Sequence, residues 1–306
     1  MKKKLLIILL IILLIFALSR FDAYSLLQSI RQIPLWSVAL LNGLQILTQL
    51  LINVQWHQVA KSGNMRISFR DMFYVNCQGA VVDSITPGVK IGGEVTRAVQ
   101  ISKVASCSTE QAAAIVALQK LFSMSAFLLL CVLAVIYLMG EVPHLHMAVL
   151  GVAGLLLLLT AAVIVLRKKL KGFLQILKEQ LKTLCKNPRV FIPLVLLSIL
   201  LWLIYPAKMY ILAVQVFPDA NVVYIGAITF IAYMVAMIPI FPGGLGGFEA
   251  TMSGLLLSVG FMSGDAIVVT VLFRFITFWF VFLLSLAYVG LYKTNERVKK
   301  LWPRIV

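Results

Sequence analysis

Two acids close the same short pattern. P-G-x-x-x-G-x-E runs from Pro87 to Glu94 and again from Pro242 to Glu249, 155 residues later. Proline ends a regular helix because it lacks an N–H and clashes with the preceding turn. Gly88, Gly92 and Gly93 in the first copy, and Gly243, Gly244, Gly246 and Gly247 in the second, allow backbone angles that other residues avoid. Amide N–H groups exposed at such a break can hold a phosphate or carboxylate. An acid just after the break complements the dipole of the helix that follows. The plainer alternative is a tight interhelical turn with a capping acid.

Two cations stand at matched distances. Lys120 in AIVALQKLFSMSAF and Arg274 in VVTVLFRFITFWF follow their prolines by 33 and 32 residues. A cation inside an apolar span is costly unless paired or wetted. Glu94 and Glu249 are its expected partners, with Asp83 next. The pairs either tie two hairpins together or form a cationic site for a lipid phosphate. Arg97 fits the second role near a cytoplasmic entrance, and Asn76 and Thr277 fit a polar path. Lys208 either snorkels from a helix end or joins the site. Asp265 reads as a helix start, and the aromatic residues around Arg274 (Phe275, Phe278, Trp279, Phe280, Phe282) as packing or lipid-facing groups. The four cysteines and three histidines show no metal-ligand spacing, and no nucleotide or zinc-protease motif occurs. The expectation is therefore no cofactor, no metal and no catalytic residue.

The elements that position these residues are apolar. Of 306 residues, 61% are hydrophobic and 12% charged, with mean hydropathy +1.01. Such a chain takes lipid as its main solvent. Its net charge of +16 would suggest nucleic acid in a soluble protein, but here the basic residues sit between apolar runs, as the positive-inside rule requires. Full spans are expected near 4–19 (a retained signal anchor), 35–55, 110–138, 145–166, 190–216 and 265–290. Residues 20–34 form an amphipathic linker, and 167–189, with eight basic residues and one acid, a basic amphipathic surface helix or loop. The N-terminus, 56–70, 167–189 and the tail after 292 are basic and so cytoplasmic, while 139–144 and 217–220 carry no Lys or Arg and are external. Parity then makes 72–109 a hairpin that enters and leaves on the cytoplasmic side. Segment 221–263 either crosses twice or re-enters from outside. The reading is an all-α polytopic membrane protein. It is one membrane domain over 1–306, an inverted repeat of halves 1–140 and 141–292 with a basic cytoplasmic tail at 293–306. It counts as six full spans plus two broken or re-entrant hairpins, or as eight spans. Broken backbone in hydrocarbon is tolerated only where protein or water supplies partners, and paired, opposed broken helices meeting near the midplane are a transporter design.

At these residues the sequence resembles the lysylphosphatidylglycerol synthase transmembrane-region family, also called flippase-like or UPF0104 membrane proteins. The resemblance spans roughly 5–290. It is carried by T-P-G-x-x-x-G-G-E-x-x-R from Thr86 to Arg97, by P-G-G-L-G-x-x-E from Pro242 to Glu249, and by the span holding Arg274. Related chains often have arginine where Lys120 stands, which keeps the charge but changes the hydrogen-bond geometry. In large bifunctional members a cytosolic domain transfers an aminoacyl group to phosphatidylglycerol, and the membrane module moves the product. This chain ends soon after its last expected span, so only the membrane module is expected.

The resemblance implies a lipid translocase in a prokaryotic inner or plasma membrane. Its ligand would be an anionic or aminoacylated phospholipid, or a polyprenyl-phosphate lipid. A homodimer or a separate lipid-modifying enzyme is the implied partner. Two alternatives stay open. One is a membrane enzyme using Asp83, Glu94 or Glu249 as a base. The other is a non-transporting subunit of an envelope-lipid machine.

Overall fold

The computed structural model describes residues 23–86, 91–139, 171–237 and 244–301. Regular structure there is helical: α1 (Ala23–Gln32), α2 (Leu35–Ser62), α3 (Phe69–Ile85), α4 (Ile91–Val104), α5 (Thr109–Met139), α6 (Lys171–Cys185), α7 (Pro188–Val216), α8 (Val222–Ala236), α9 (Gly247–Ser258), α10 (Ser263–Arg274) and α11 (Phe280–Leu301). A π-helical turn, Phe275–Trp279, joins the last two. The expected spans at 4–19 and 145–166, and Pro87, Gly88, Pro242 and Gly243, lie outside the described residues.

Local chemistry sets the helix ends. Ser68 Oγ accepts the Asp71 N–H at 3.1 Å and starts α3, and Asn221 Oδ1 accepts the Val223 N–H at 2.8 Å and starts α8. Pro188 opens α7, where its missing N–H is harmless. Among the described residues, four helices are long and apolar enough to cross a membrane: Leu35–Ser62, Thr109–Tyr137, Pro188–Val216, and Ser263–Thr294, which runs through the π turn. The protein is an all-α polytopic membrane protein. By contrast α8 has 15 residues. At about 1.5 Å per residue it falls short of the roughly 30 Å hydrocarbon core. The linker expected at 20–34 contains α1, with Ser29 and Ile33 buried while Leu27 and Ile30 are exposed. The basic segment contains α6, whose Leu177, Leu181 and Leu184 pack into the bundle while Lys178 and Lys182 face out.

Element bounds follow the 155-residue offset. Adding 155 to α2, α3 and α4 gives 190–217, 224–240 and 246–259, against 188–216, 222–236 and 247–258 for α7, α8 and α9. Shifted α5 becomes 264–294, against the long helix at 263–294. Packing is reciprocal as well. The hairpin α3–α4 lies against α11, the hairpin α8–α9 lies against α5, and α2 packs on α7.

Polar side chains bind these helices together. Lipid tails are as apolar as leucine, so helix association in a bilayer draws on hydrogen bonds and close packing. Gln55 Nε2 donates to Ser198 Oγ at 2.6 Å and Gln119 Nε2 donates to Gln55 Oε1 at 2.9 Å, joining α2, α7 and α5. Asn76 Nδ2 donates to Asn53 Oδ1 at 2.8 Å, joining α3 to α2. This is a bundle contact for Asn76.

Lys208 departs from both expectations. It neither snorkels nor joins the acidic residues, because α7 continues to Val216 and buries it to 1% exposure. Its ammonium donates to Gln45 Oε1 at 2.6 Å and Thr48 Oγ1 at 2.7 Å, and lies 5.1 Å from the centre of the Tyr205 ring.

Gln55→Leu removes two interhelical hydrogen bonds at once. The expected loss is about 1–2 kcal/mol, at roughly 0.6 kcal/mol on average per intramembrane bond plus the stranded Gln119 amide. Reversible denaturation in lipid–detergent micelles reads it.

Candidate functional site at two broken hairpins

The first break is closed by carboxylates. Helix α3 ends at Ile85, Thr86 is extended, and α4 starts at Ile91. The first N–H groups of a helix have no partner within it. Asp83, in the last turn of α3, fills that need by accepting the Gly93 N–H on Oδ1 at 2.9 Å. Gly93 must be glycine at this approach, since a Cβ there would lie 2.2 Å from the Asp83 carboxyl carbon. A Cβ at Gly92 would lie 2.5 Å from Thr86 Oγ1, so the two glycines let α4 fold back onto the end of α3.

The same carboxylates gather the cations. Arg97 Nη1 donates to Asp83 Oδ2 at 3.1 Å and to Glu94 Oε1 at 3.0 Å. Lys120, from α5, reaches the same Glu94 Oε1 at 2.7 Å. Among the described residues, two acids and two bases thus form one charge-balanced cluster on three helices. Arg97 lies under the Trp56 ring at 5.5 Å and across α3 where Gly79 leaves space; a Cβ there would meet Arg97 Nε at 2.5 Å. Two atoms in the cluster, Glu94 Oε2 and Arg97 Nε, are buried without a hydrogen-bond partner.

The second break uses one acid for both tasks. Gly244 and Gly246 have φ of +74° and +87°, the left-handed region that favours glycine. The Gly246 N–H donates to Glu249 Oε2 at 2.6 Å, which is the return half of a capping box. Glu249 Oε1 accepts from Arg274 Nε at 2.9 Å. Gly247 is the first residue of α9 and is buried. The Arg274 guanidinium lies 4.9 Å from the Phe248 ring and 4.5 Å from the Phe278 ring, a placement that a partly desolvated cation favours. Phe278 sits in the π turn that begins right after Arg274. Single π turns inside α-helices recur at functional sites.

The structure brings Asp83, Gly93, Glu94, Arg97 and Lys120 together, with Thr86 and Gly92 beside them, and separately joins Gly246, Glu249 and Arg274. Two expectations change. The Gly93 and Gly246 amides hold the protein's own carboxylates instead of standing open. Arg97 is an inner member of the cluster, not an entrance cation. Asp265 does lie in the first turn of α10, as expected, but is buried. Sequence reasoning missed Trp56 and Gly79, and it placed Phe278 with the packing residues. The only signal for Gly79 was its place in the less apolar stretch with Asn76, Gln78 and Asp83.

Gly93→Ala should drive a methyl group into the Asp83 carboxylate and open the first break. The expected destabilisation is about 2 kcal/mol or more, in the range of overpacked buried sites. At Gly254, within α9, a Cβ would meet nothing within 4 Å. Gly254→Ala should be neutral or stabilising by up to about 1 kcal/mol. Thermal unfolding of the two variants side by side checks both signs.

Comparison with known proteins gives the family. A family model described as "Lysylphosphatidylglycerol synthase TM region" matches residues 4–285. A UPF0104 membrane protein of Pyrococcus horikoshii is 24% identical, covering 74% of this chain and 78% of the relative. A UPF0104 membrane protein of Methanothermobacter thermautotrophicus is 20% identical, covering 80% and 82%. With most of its length matched and both motifs built into paired helix breaks, the chain belongs to the lysylphosphatidylglycerol synthase transmembrane-region family.

Proposed function

We propose that this protein moves a phospholipid or a polyprenyl-phosphate-linked lipid between the leaflets of a prokaryotic inner or plasma membrane. The observation that carries the reading is the pair of charged clusters at helix breaks, Asp83–Glu94–Arg97–Lys120 and Glu249–Arg274, within a bundle of membrane-spanning helices. Ionisable side chains at such depth mark substrate or ion paths far more often than they serve packing. Family membership supports a lipid-handling role.

In this reading the two halves form an inverted repeat, with both termini cytoplasmic. Hairpin α3–α4 opens to the cytoplasm and hairpin α8–α9 to the outside. The offset of 155 residues and the reciprocal packing of each hairpin on the long helix of the other half support that arrangement. A headgroup exchanges contacts with Lys120 on one side and Arg274 on the other while the tails stay in hydrocarbon. Lys120 is the accessible member, with 37% of its side chain exposed.

Sealed liposomes containing the purified protein and labelled lipids test the reading through leaflet exposure over time. Lys120→Ala should slow exchange about tenfold or more, equivalent to about 1.4 kcal/mol of barrier, while Lys120→Arg should retain most of it. No acceleration by the wild type over empty liposomes, across phospholipid and polyprenyl-phosphate substrates, would sink the proposal. Chemical conversion of a lipid would point to an enzyme instead.

A further inference from the structure

We infer that the first cluster selects a compact zwitterionic headgroup, a phosphate with a primary ammonium one ethylene unit away. This inference rests on the lipid-handling reading and names the headgroup that the site takes.

Charge balance carries the first step. Asp83 and Glu94 offset Arg97 and Lys120, and each ion pair is already closed at 2.7–3.1 Å. A purely anionic headgroup that displaces Lys120 or Arg97 from its acid leaves a carboxylate without its cation. Stranding one partner of a buried pair is among the largest electrostatic penalties in a protein. A zwitterion exchanges pair for pair, its phosphate meeting the cations while its ammonium meets the released carboxylate. Net charge in the cluster stays zero throughout.

The unused hydrogen-bonding atoms carry the second step. Glu94 Oε1 receives both Lys120 and Arg97, while Glu94 Oε2 receives nothing. Arg97 uses Nη1 twice, while its Nε has no partner. A buried donor or acceptor left unmade costs about 1–3 kcal/mol. The cluster therefore presents one buried spare acceptor and one buried spare donor, which an ammonium N–H and a phosphate oxygen would complete. The two atoms belong to side chains joined by a 3.0 Å bond. A ligand that reaches both must be short between its charges. Ethanolamine phosphate has that span. Choline phosphate lacks the N–H, glycerol phosphate lacks the cation, and an aminoacylated glycerol phosphate holds its amine farther off.

Native mass spectrometry of the full chain in detergent, titrated with phosphatidylethanolamine, phosphatidylcholine, phosphatidylglycerol and aminoacylated phosphatidylglycerol, tests this. The wild type should bind phosphatidylethanolamine about tenfold tighter than the other three, the worth of one charge-assisted hydrogen bond. Soluble phosphoethanolamine should bind more weakly than the lipid. Glu94→Gln leaves the cluster one positive charge in excess, so the preference should move to phosphatidylglycerol. Such a gain cannot come from misfolding. Asp83→Asn makes the same charge change and serves if Glu94→Gln does not fold. Equal binding of the four lipids, tighter binding of phosphatidylglycerol or its aminoacylated form by the wild type, or an unshifted preference in both variants overturns the inference. Soluble phosphoethanolamine matching the lipid would overturn the lipid assignment. Leaflet exchange is measured on the same lipids. Selectivity without exchange overturns the translocation reading alone, and exchange without selectivity overturns this inference alone.

Discussion

A backbone that breaks inside hydrocarbon must find hydrogen-bond partners without help from water. In this chain carboxylates supply them. Asp83 takes the Gly93 N–H and Glu249 takes the Gly246 N–H. A carboxylate set among apolar helices in turn requires a cation. Arg97, Lys120 and Arg274 follow from that requirement, and so do the glycines that make room for the contacts. The charged site is thus the chemical completion of the breaks, and breaks and charges stand or fall together.

The two completions are built differently. In the first half the carboxylate that caps the amide and the carboxylate that holds the long-helix cation are separate residues, Asp83 and Glu94, with Arg97 between them. In the second half Glu249 performs both tasks, and aromatic rings flank the cation. The two copies of the P-G-x-x-x-G-x-E pattern therefore carry unequal chemistry. One side is a four-charge cluster with spare hydrogen-bonding atoms, the other holds the Glu249–Arg274 pair among phenyl rings.

Much of this was legible in the sequence. The P-G-x-x-x-G-x-E pattern, the matched spacing to Lys120 and Arg274, and the long apolar runs located the breaks, the ion-pair partners and four spanning helices. Periodicity and charge carry such information because they act locally or repeat at fixed offsets. Three features were not legible. Trp56 and Gly79 meet Arg97 only through tertiary packing. The π turn at Phe275–Trp279 inserts into a run that reads as one uninterrupted helix, since no proline or glycine marks it. Lys208 looked like a helix-end residue because an apolar window does not say where a span stops. Its partners Gln45 and Thr48 lie some 160 positions away in the chain.

Lys208 also limits how the bundle can move. Its ammonium sits on α7 with two short bonds to α2, and among the described residues no carboxylate ion-pairs with it. Sliding α7 by one helical turn would carry that nitrogen about 5.4 Å from both acceptors and leave a bare charge between apolar helices. Tilting about the same point keeps both bonds. Two short bonds to one ammonium thus make the α2–α7 contact more resistant to slippage by a turn than to tilting.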